Sequence, residues 1–159
     1  LLAAPDALPR WLQLAGLVTS AVPLSSEDHE EALLLREAVH DTVRSVISDQ
    51  EPSHDDIARI NRAAKFPIAV PQLNRGANHI LWETPDPLKA CLAVIARDAI
   101  ALMGDSTRNC LKMCARDSCR MLFVDASPAH RRRWCAMSLC GNRSKVALHR
   151  QRKKSLDIG

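Results

Sequence analysis

The sequence contains no tyrosine and only two phenylalanines and three tryptophans among its 159 residues. Its core must therefore consist mainly of aliphatic side chains, and it has few rings on which single-stranded RNA bases could stack. It also lacks any apolar run near the roughly 20 residues that a membrane span requires. Pro5, Asp6, Pro9 and Arg10 interrupt the apolar N-terminal stretch, which makes a poor signal-peptide core. We therefore expect a cytoplasmic protein without a membrane partner.

Acidic residues are scarce in the C-terminal part of the chain. Residues 1–107 contain nine Lys and Arg against 15 Asp and Glu, a net charge of −6. Residues 108–154 contain 13 Lys and Arg against two Asp, a net charge of +11. The shift near residue 107 predicts a domain boundary, with a front domain over 1–107 and a basic module over 108–159. Such asymmetry indicates an anionic partner for the basic end.

Helical periodicity predicts four helices in the front domain. They cover residues 6–17, about 27–49, a segment that starts after Ser53, and about 86–103. Ser25 or Ser26 supplies the N-cap of the second helix, and Gly104 provides a stop for the fourth. Residues 67–83 contain two short extended runs around Arg75-Gly76, which predicts a small hairpin or an irregular loop. The predicted fold class is therefore mainly α.

The apolar stripes of these helices predict which side chains are buried. The first helix would bury Leu8, Trp11 and Leu12, and the third would bury Ile57 and Ile60. Such stripes are most simply explained as the core of the front domain. A small ligand held between the helices, which would make the domain a sensor, is the alternative.

Five of the six cysteines fall in the basic module. From Cys114 onward, through Cys119, Cys135 and Cys140, their spacing is C-x4-C-x15-C-x4-C. Two close pairs separated by a longer segment suit Zn²⁺, because four soft thiolates satisfy its tetrahedral preference. The sequence therefore predicts one structural zinc ion with these four cysteines as ligands.

Other interpretations of the cysteines compete with zinc. The alternatives are a disulfide pair, a redox thiol pair and ordinary buried thiols, but none of them accounts as well for two pairs at this spacing. Cys110 could replace Cys114 as a ligand or pack in a strand, and Cys114 is favoured.

Helix geometry constrains the second pair. Positions five apart on an α-helix differ by about 140° around the axis. Cys135 and Cys140 therefore cannot both face one metal from a regular helix. We expect Cys135 to precede the helix and Cys140 to lie in or near its first turn, with the helix continuing to about residue 152. Residues 120–125 have strand character and 126–131 resemble a turn. A knuckle, a β-hairpin, a turn and the C-terminal helix give the layout of a small treble-clef-like zinc finger.

These segments resemble a known family. CARDSC, LFVDAS and RRRWCAMSLCGNRSK are similar to the CGNR zinc finger, with Trp134, Gly141 and Asn142 in register. PRWLQLAGL, LLLREAVHDTV and DIARINRAA resemble helices of the ABATE domain, which precedes this finger in stress-induced transcription regulators of bacteria. The resemblance implies that the four paired cysteines bind zinc and that the protein regulates transcription.

The basic residues are too numerous to serve the zinc site alone, since four thiolates and Zn²⁺ carry a formal charge of only −2. Backbone phosphates are the natural partner for such a surface, and DNA is favoured over RNA. The candidate nucleic-acid-binding residues are Arg131, Arg132, Arg133, Asn142, Arg143, Lys145, Arg150, Arg152 and Lys153. Alternatives are a module that docks an acidic protein partner, and a basic tail that is merely solvated or pairs with the acidic front half. A homodimer and an effector of unknown identity are compatible with the sequence.

The sequence contains no recognisable catalytic motif. The six histidines are scattered, and none sits in a nucleophile or metal-hydrolase motif. Asp125-Ala126-Ser127 is more typical of a capped turn than of a catalytic pair. Four cysteines also close the zinc shell, whereas catalytic zinc keeps an open position. We therefore expect no enzymatic activity.

Overall fold

The computed structural model describes residues 7–20 and 22–146, which form two compact units. The first comprises the described residues up to Thr42 together with Glu51–Leu102. The second comprises Val43–Gln50 and the described residues from Met103 onward. Within these ranges, no helix combines the length and apolar character that a membrane crossing needs.

Four helices account for most of the first unit, as predicted. They are α1 (Ala7–Leu14), α2 (Ser26–Ile47), α3 (His54–Ala64) and α4 (Pro87–Gly104), of which α2 also contributes its last residues to the second unit. Helix α1 ends earlier than predicted because Gly16 adopts a φ of 71°. The amide of Leu17 then bonds to the carbonyl of Leu12, and that of Gly16 to the carbonyl of Gln13. This Schellman motif stops the helix.

The predicted N-caps are present. The amide of Asp28 donates to the Ser25 hydroxyl (3.1 Å), while the amide of Ser25 donates to the Asp28 carboxylate (2.9 Å). The Ser53 side chain accepts from the amide of Asp56 at the start of α3. Each cap satisfies backbone donors that the first turn of a helix leaves without a partner.

Helix α4 contributes more buried residues to the first unit than any other described helix. It buries Leu88, Ala90, Cys91, Leu92, Ala93, Ala96 and Ala99, and the other helices contribute Leu8, Leu12, Ala32, Leu35, Ala38 and Ile60. The guanidinium of Arg97 donates to the carbonyl of Ala64 (2.9 Å), the last residue of α3, and to that of Phe66 (3.0 Å) just beyond it. These bonds tie α4 to α3 and satisfy carbonyls that a helix end leaves free.

The burial predicted for two large side chains is wrong. Trp11 is 43% exposed and Ile57 is 40% exposed. Both lie at the edge of a helical stripe whose centre is buried, formed by Leu8 and Leu12 in α1 and by Ile60 in α3. A short helix that contacts its neighbours along one line buries the centre of the stripe and leaves the flank in solvent.

A small antiparallel hairpin connects α3 and α4, as the sequence predicts. Its strands are β1 (Val70–Leu73) and β2 (Ile80–Glu83), with Leu73 opposite Ile80 and Val70 opposite Glu83. Asn74 and Asn78 close the turn through side-chain hydrogen bonds. All eight strand residues are exposed.

The second unit is built from short elements. A 3-10 helix (Ser106–Cys110) leads into β3 (Leu111–Met113), which pairs antiparallel with β4 (Leu122–Val124). A π-helical turn (Met137–Gly141) follows and continues as a helix through residue 146. The part of the predicted helix from 147 to 152 lies outside the described residues. The unit therefore has the hairpin and helix of a treble-clef-like finger.

Candidate metal centre

The first cysteine pair lies inside the β3–β4 hairpin. Cys114 directly follows β3, and its amide bonds to the carbonyl of Met121 (2.9 Å). The amide of Cys119 bonds to the carbonyl of Arg116 (2.9 Å), and Arg120 takes a φ of 51°. The chain thus reverses tightly between the two cysteines, and the hairpin holds both ends of the reversal. The sequence predicted a hairpin in this module and located strand β4, but it did not place the partner strand β3.

The second pair lies where helix geometry requires. Cys135 precedes the helix, and Ala136 is extended with φ −142° and ψ 130°. The amides of Cys140 (3.0 Å) and Gly141 (3.2 Å) both bond to the carbonyl of Ala136. This carbonyl therefore accepts one α-type and one π-type bond, which widens the first turn. The prediction that Cys140 lies in the first turn is confirmed, whereas the π geometry had no signal in the sequence.

The sulfur atoms of the two cysteine pairs form one cluster. The Sγ atoms of Cys114, Cys119, Cys135 and Cys140 all lie within 4.8 Å of one another. The Cys119 and Cys135 sulfurs are 3.7 Å apart, and those of Cys135 and Cys140 are 3.8 Å apart. Tetrahedral zinc with Zn–S bonds of about 2.3 Å requires sulfurs about 3.8 Å apart. The donor set and its spacing therefore fit zinc with a closed shell.

The thiols of this cluster do not ionise alike. Burial raises the pKa of Cys114, but hydrogen bonds from the backbone amides of Cys135 and Arg116 outweigh it and bring the pKa to about 7. Burial raises the pKa of Cys135 to about 12, and the neighbouring thiols add to this rise. The Cys119 thiol and burial raise the pKa of Cys140. Zinc must therefore displace protons to bind, so that its affinity falls as pH falls.

Asp125 stabilises the finger beside the sulfur cluster. Its side chain is fully buried and accepts from Lys112 Nζ (2.7 Å), Ser127 Oγ (2.6 Å) and the amide of Arg132 (2.9 Å). Burial raises the pKa of Asp125, but the hydrogen bonds from Lys112, Ser127 and Arg132 outweigh it and hold the pKa well below its usual range. The turn capping predicted for Asp125-Ala126-Ser127 is present. The ion-pair partner Lys112, which is half-buried, was not predicted.

The segment 131–133 joins the two cysteine pairs. The carbonyl of Arg133 accepts from the amide of Ala115, beside the first pair (2.8 Å). The guanidinium of Arg132 donates to the carbonyl of Cys135 (2.7 Å) and lies 5.0 Å from the centre of the Phe123 ring. Arg132 therefore packs against the finger itself, as well as being a candidate for phosphate contact.

The remaining cysteines lie apart from the cluster. Cys110 is the last residue of the 3-10 helix, and its sulfur lies 3.6 Å from Nδ1 of His130. Cys91 is buried in α4, and its thiol donates to the carbonyl of Leu17 (3.6 Å). The structure thus brings together the four cysteines that the spacing favours, and the choice of Cys114 over Cys110 agrees with the geometry.

The candidate nucleic-acid residues divide into three groups. Arg131, Asn142, Arg143 and Lys145 are exposed, although Nδ2 of Asn142 also donates to the carbonyl of Ser138 (3.5 Å). Arg132 and Arg133 contact rings of the finger, since the Arg133 guanidinium lies 5.4 Å from the centre of the half-buried Trp134 ring. Arg150, Arg152 and Lys153 lie outside the described residues.

Two family models match the chain. Residues 1–106 match ABATE, which carries the description "Putative stress-induced transcription regulator". Residues 111–153 match the CGNR zinc finger. Both resemblances inferred from the sequence are confirmed, and the finger match and the four-cysteine cluster together fit a single structural zinc ion. A comparison with curated proteins gives no significant match.

Proposed function

Because the chain belongs to the ABATE family and carries a CGNR zinc finger, we propose that it is a zinc-binding bacterial transcription regulator that contacts DNA through the finger. In this proposal the protein acts in the cytoplasm, zinc holds the finger in shape, and the protein catalyses no reaction. The buried carboxylate of Asp125 supports a structural role for that residue, since Lys112 and Arg132 already occupy it.

The observation that carries the proposal is the exposed positive charge around the start of the C-terminal helix. Arg131 precedes the second cysteine pair, and Arg143 and Lys145 follow it, all with exposed side chains. Residues 108–146 contain nine Lys and Arg and two Asp, a net charge of +7. The formal −2 of a four-thiolate zinc site leaves about +5. Such a surface suits contact with the phosphate backbone, which supplies most sequence-independent affinity.

Base recognition is assigned to the beginning of the same helix. Asn142 and Arg143 are exposed in the turn that begins two residues after Cys140, a member of the sulfur cluster. Arginine and asparagine side chains pair with guanine and adenine edges in the major groove. A rigid zinc site at the helix start would hold these two side chains in a defined orientation.

Salt-dependent binding to duplex DNA tests the proposal. The zinc-loaded chain should bind with an affinity that falls steeply as salt rises. Arg143→Ala should weaken binding and reduce the slope of log affinity against log salt by about one. Arg75→Ala is the matched control, because Arg75 is exposed in the β1–β2 turn of the first unit. Absence of DNA affinity even at low salt would refute the proposal and favour an acidic protein partner for the finger.

A further inference from the structure

A cavity of about 550 Å³ opens in the first unit, and all its lining residues belong to that unit. Three parts of this unit line it: the segment after α1, the hairpin with the residues before it, and α4. Large contributors are Leu17, Val22, Ile68, Trp82 and Val94, with the Cys91 thiol among them. The volume lies within the range of about 300–1,000 Å³ that is common for small-molecule sites.

The lining of this cavity carries no charge. Among the described residues that line it there is no Asp, Glu, Lys, Arg or His. Cys91 is the one ionisable group among the described lining residues, and burial raises the pKa of its thiol, so it too is neutral at physiological pH. A charged ligand would lose its hydration here without gaining a counter-ion, which is costly. The cavity therefore selects against ions.

A second cavity of the same unit shows the contrast. It measures about 250 Å³ and is lined by Glu31, Arg59, Arg62 and Lys89 beside apolar residues. Charged side chains are thus abundant on this unit, but none of the described ones faces the larger cavity. The neutrality of the larger cavity belongs to that site and does not reflect the composition of the whole unit.

Polar atoms of the cavity are few and suit a single hydrogen-bonding group. Thr19 and Ser20 place exposed hydroxyl groups at the cavity, whereas the Thr84 hydroxyl donates to the carbonyl of Asp86 (3.2 Å). Large apolar side chains also lie open to solvent at this site, with Trp82 57% exposed, Ile68 43% and Val94 39%. Exposed apolar surface grouped around a cavity is typical of a binding site.

We propose that this cavity binds a small, uncharged, largely apolar molecule that carries one hydrogen-bonding group. Its apolar body would cover Trp82, Val94 and Ile68, and its polar group would meet the hydroxyl groups of Thr19 and Ser20. The site lies within the ABATE-matched region. The inference does not depend on DNA binding by the finger, since it concerns residues of the first unit alone.

Titration of the intact, zinc-loaded chain with N-phenyl-1-naphthylamine tests the site. This neutral aromatic amine has one N–H group and becomes fluorescent in apolar surroundings. Val94→Trp should weaken its binding by about tenfold or more, because the added ring fills the cavity from a partly exposed position. Ile100→Trp is the matched control on the same helix, since Ile100 is 38% exposed and does not line the cavity. Its affinity should stay within about twofold of the wild type.

Competition distinguishes the class of ligand. Decanol should displace the probe at least about tenfold better than decanoate, which has the same chain and a negative charge. The proposal is wrong if the probe shows no saturable binding, if both tryptophan variants weaken it equally, or if decanoate competes as well as decanol.

A second copy of the chain is the rival occupant of this surface. One face of the hairpin, formed by Pro71, Leu73, Ile80 and Trp82, is entirely apolar and exposed. If light scattering finds a dimer that Val94→Trp dissociates and Ile100→Trp does not, and if the wild type does not bind the probe, the surface is a dimer interface and the ligand proposal fails.

Discussion

The two units of this protein are stabilised by different means. The first buries apolar side chains from four helices, with Leu8, Leu12 and Leu88 almost completely enclosed. In the second, the buried described residues include only two aliphatic side chains, Val43 and Leu111, beside two cysteines and the charged Asp125. A unit with so little apolar core relies on metal ligation and buried polar contacts. We therefore expect the core of the first unit to persist without metal and the finger to require zinc for its fold.

Removal of zinc should have the largest effect, and only on the second unit. Cys140→Ser should abolish stoichiometric zinc binding and unfold the finger, since structural zinc contributes on the order of 10 kcal/mol to the folding of small domains. Cys110→Ser is the control, because the Cys110 sulfur lies outside the cluster. Elemental analysis should find about one zinc per chain in the control and none in Cys140→Ser.

Circular dichroism completes this test, because the helices of the first unit should survive chelation of zinc. A complete loss of helical signal on chelation would contradict the division between a metal-independent and a metal-dependent unit.

Truncation of a buried side chain in the first unit should destabilise that unit and leave zinc binding unchanged. Leu12 is fully buried in α1, and Leu12→Ala should destabilise the first unit by about 2–5 kcal/mol. Leu14→Ala is the control in the same helix, since Leu14 is 78% exposed. Denaturant unfolding followed by circular dichroism measures the change, and zinc content should stay at about one per chain. Loss of zinc from Leu12→Ala would show that the finger depends on the core of the first unit.

Loss of the buried charge of Asp125 should make the finger release zinc faster without abolishing zinc binding. Asp125→Asn keeps the shape of the side chain but leaves Lys112 without its ion-pair partner. We expect zinc transfer to a chelator to be faster by up to about tenfold, since Asp125 also positions Arg132, which donates to the carbonyl of Cys135. Asp117→Asn is the control, because Asp117 is exposed in the same unit. Equal rates in the two variants would contradict the role of Asp125.

The ionised carboxylate of Asp125 stabilises the folded finger, and the pH dependence of this stabilisation follows from the pKa of Asp125. Because the folded finger lowers this pKa, the stabilisation is fully present above about pH 4, the usual pKa of an unfolded aspartate. It declines as pH falls further. The difference between the wild type and Asp125→Asn should therefore be constant near neutral pH.

The smallest effect is expected at Gly141. A Cβ atom added there would clash with Sδ of Met137, but this sulfur belongs to a flexible side chain that is 48% exposed. The backbone of Gly141 does not adopt the positive φ that favours glycine. Gly141→Ala should therefore change the stability of the finger by less than about 1 kcal/mol, as the propensity gain offsets the displacement of Met137. Thermal unfolding of the zinc-loaded chain measures this change, and zinc loss would contradict it.

Sequence alone determined the features of this protein that depend on neighbours along the chain. Helices α2 and α3 follow from serine caps and apolar periodicity, because helical hydrogen bonds and caps join residues three to five apart. The zinc site follows from cysteine spacing, since each pair needs only a tight reversal to direct two sulfurs at one ion. The position of Cys140 in the first turn also followed from helix geometry.

Tertiary structure decided the features that depend on which surfaces meet. The partner of Asp125 is Lys112, 13 residues away, and the exposure of Trp11 and Ile57 is set by how far neighbouring elements reach. The neutral cavity beside Trp82 likewise arises where three separate segments come together. Such contacts have no local pattern, because any residue of suitable size or charge can supply them once the chain has folded.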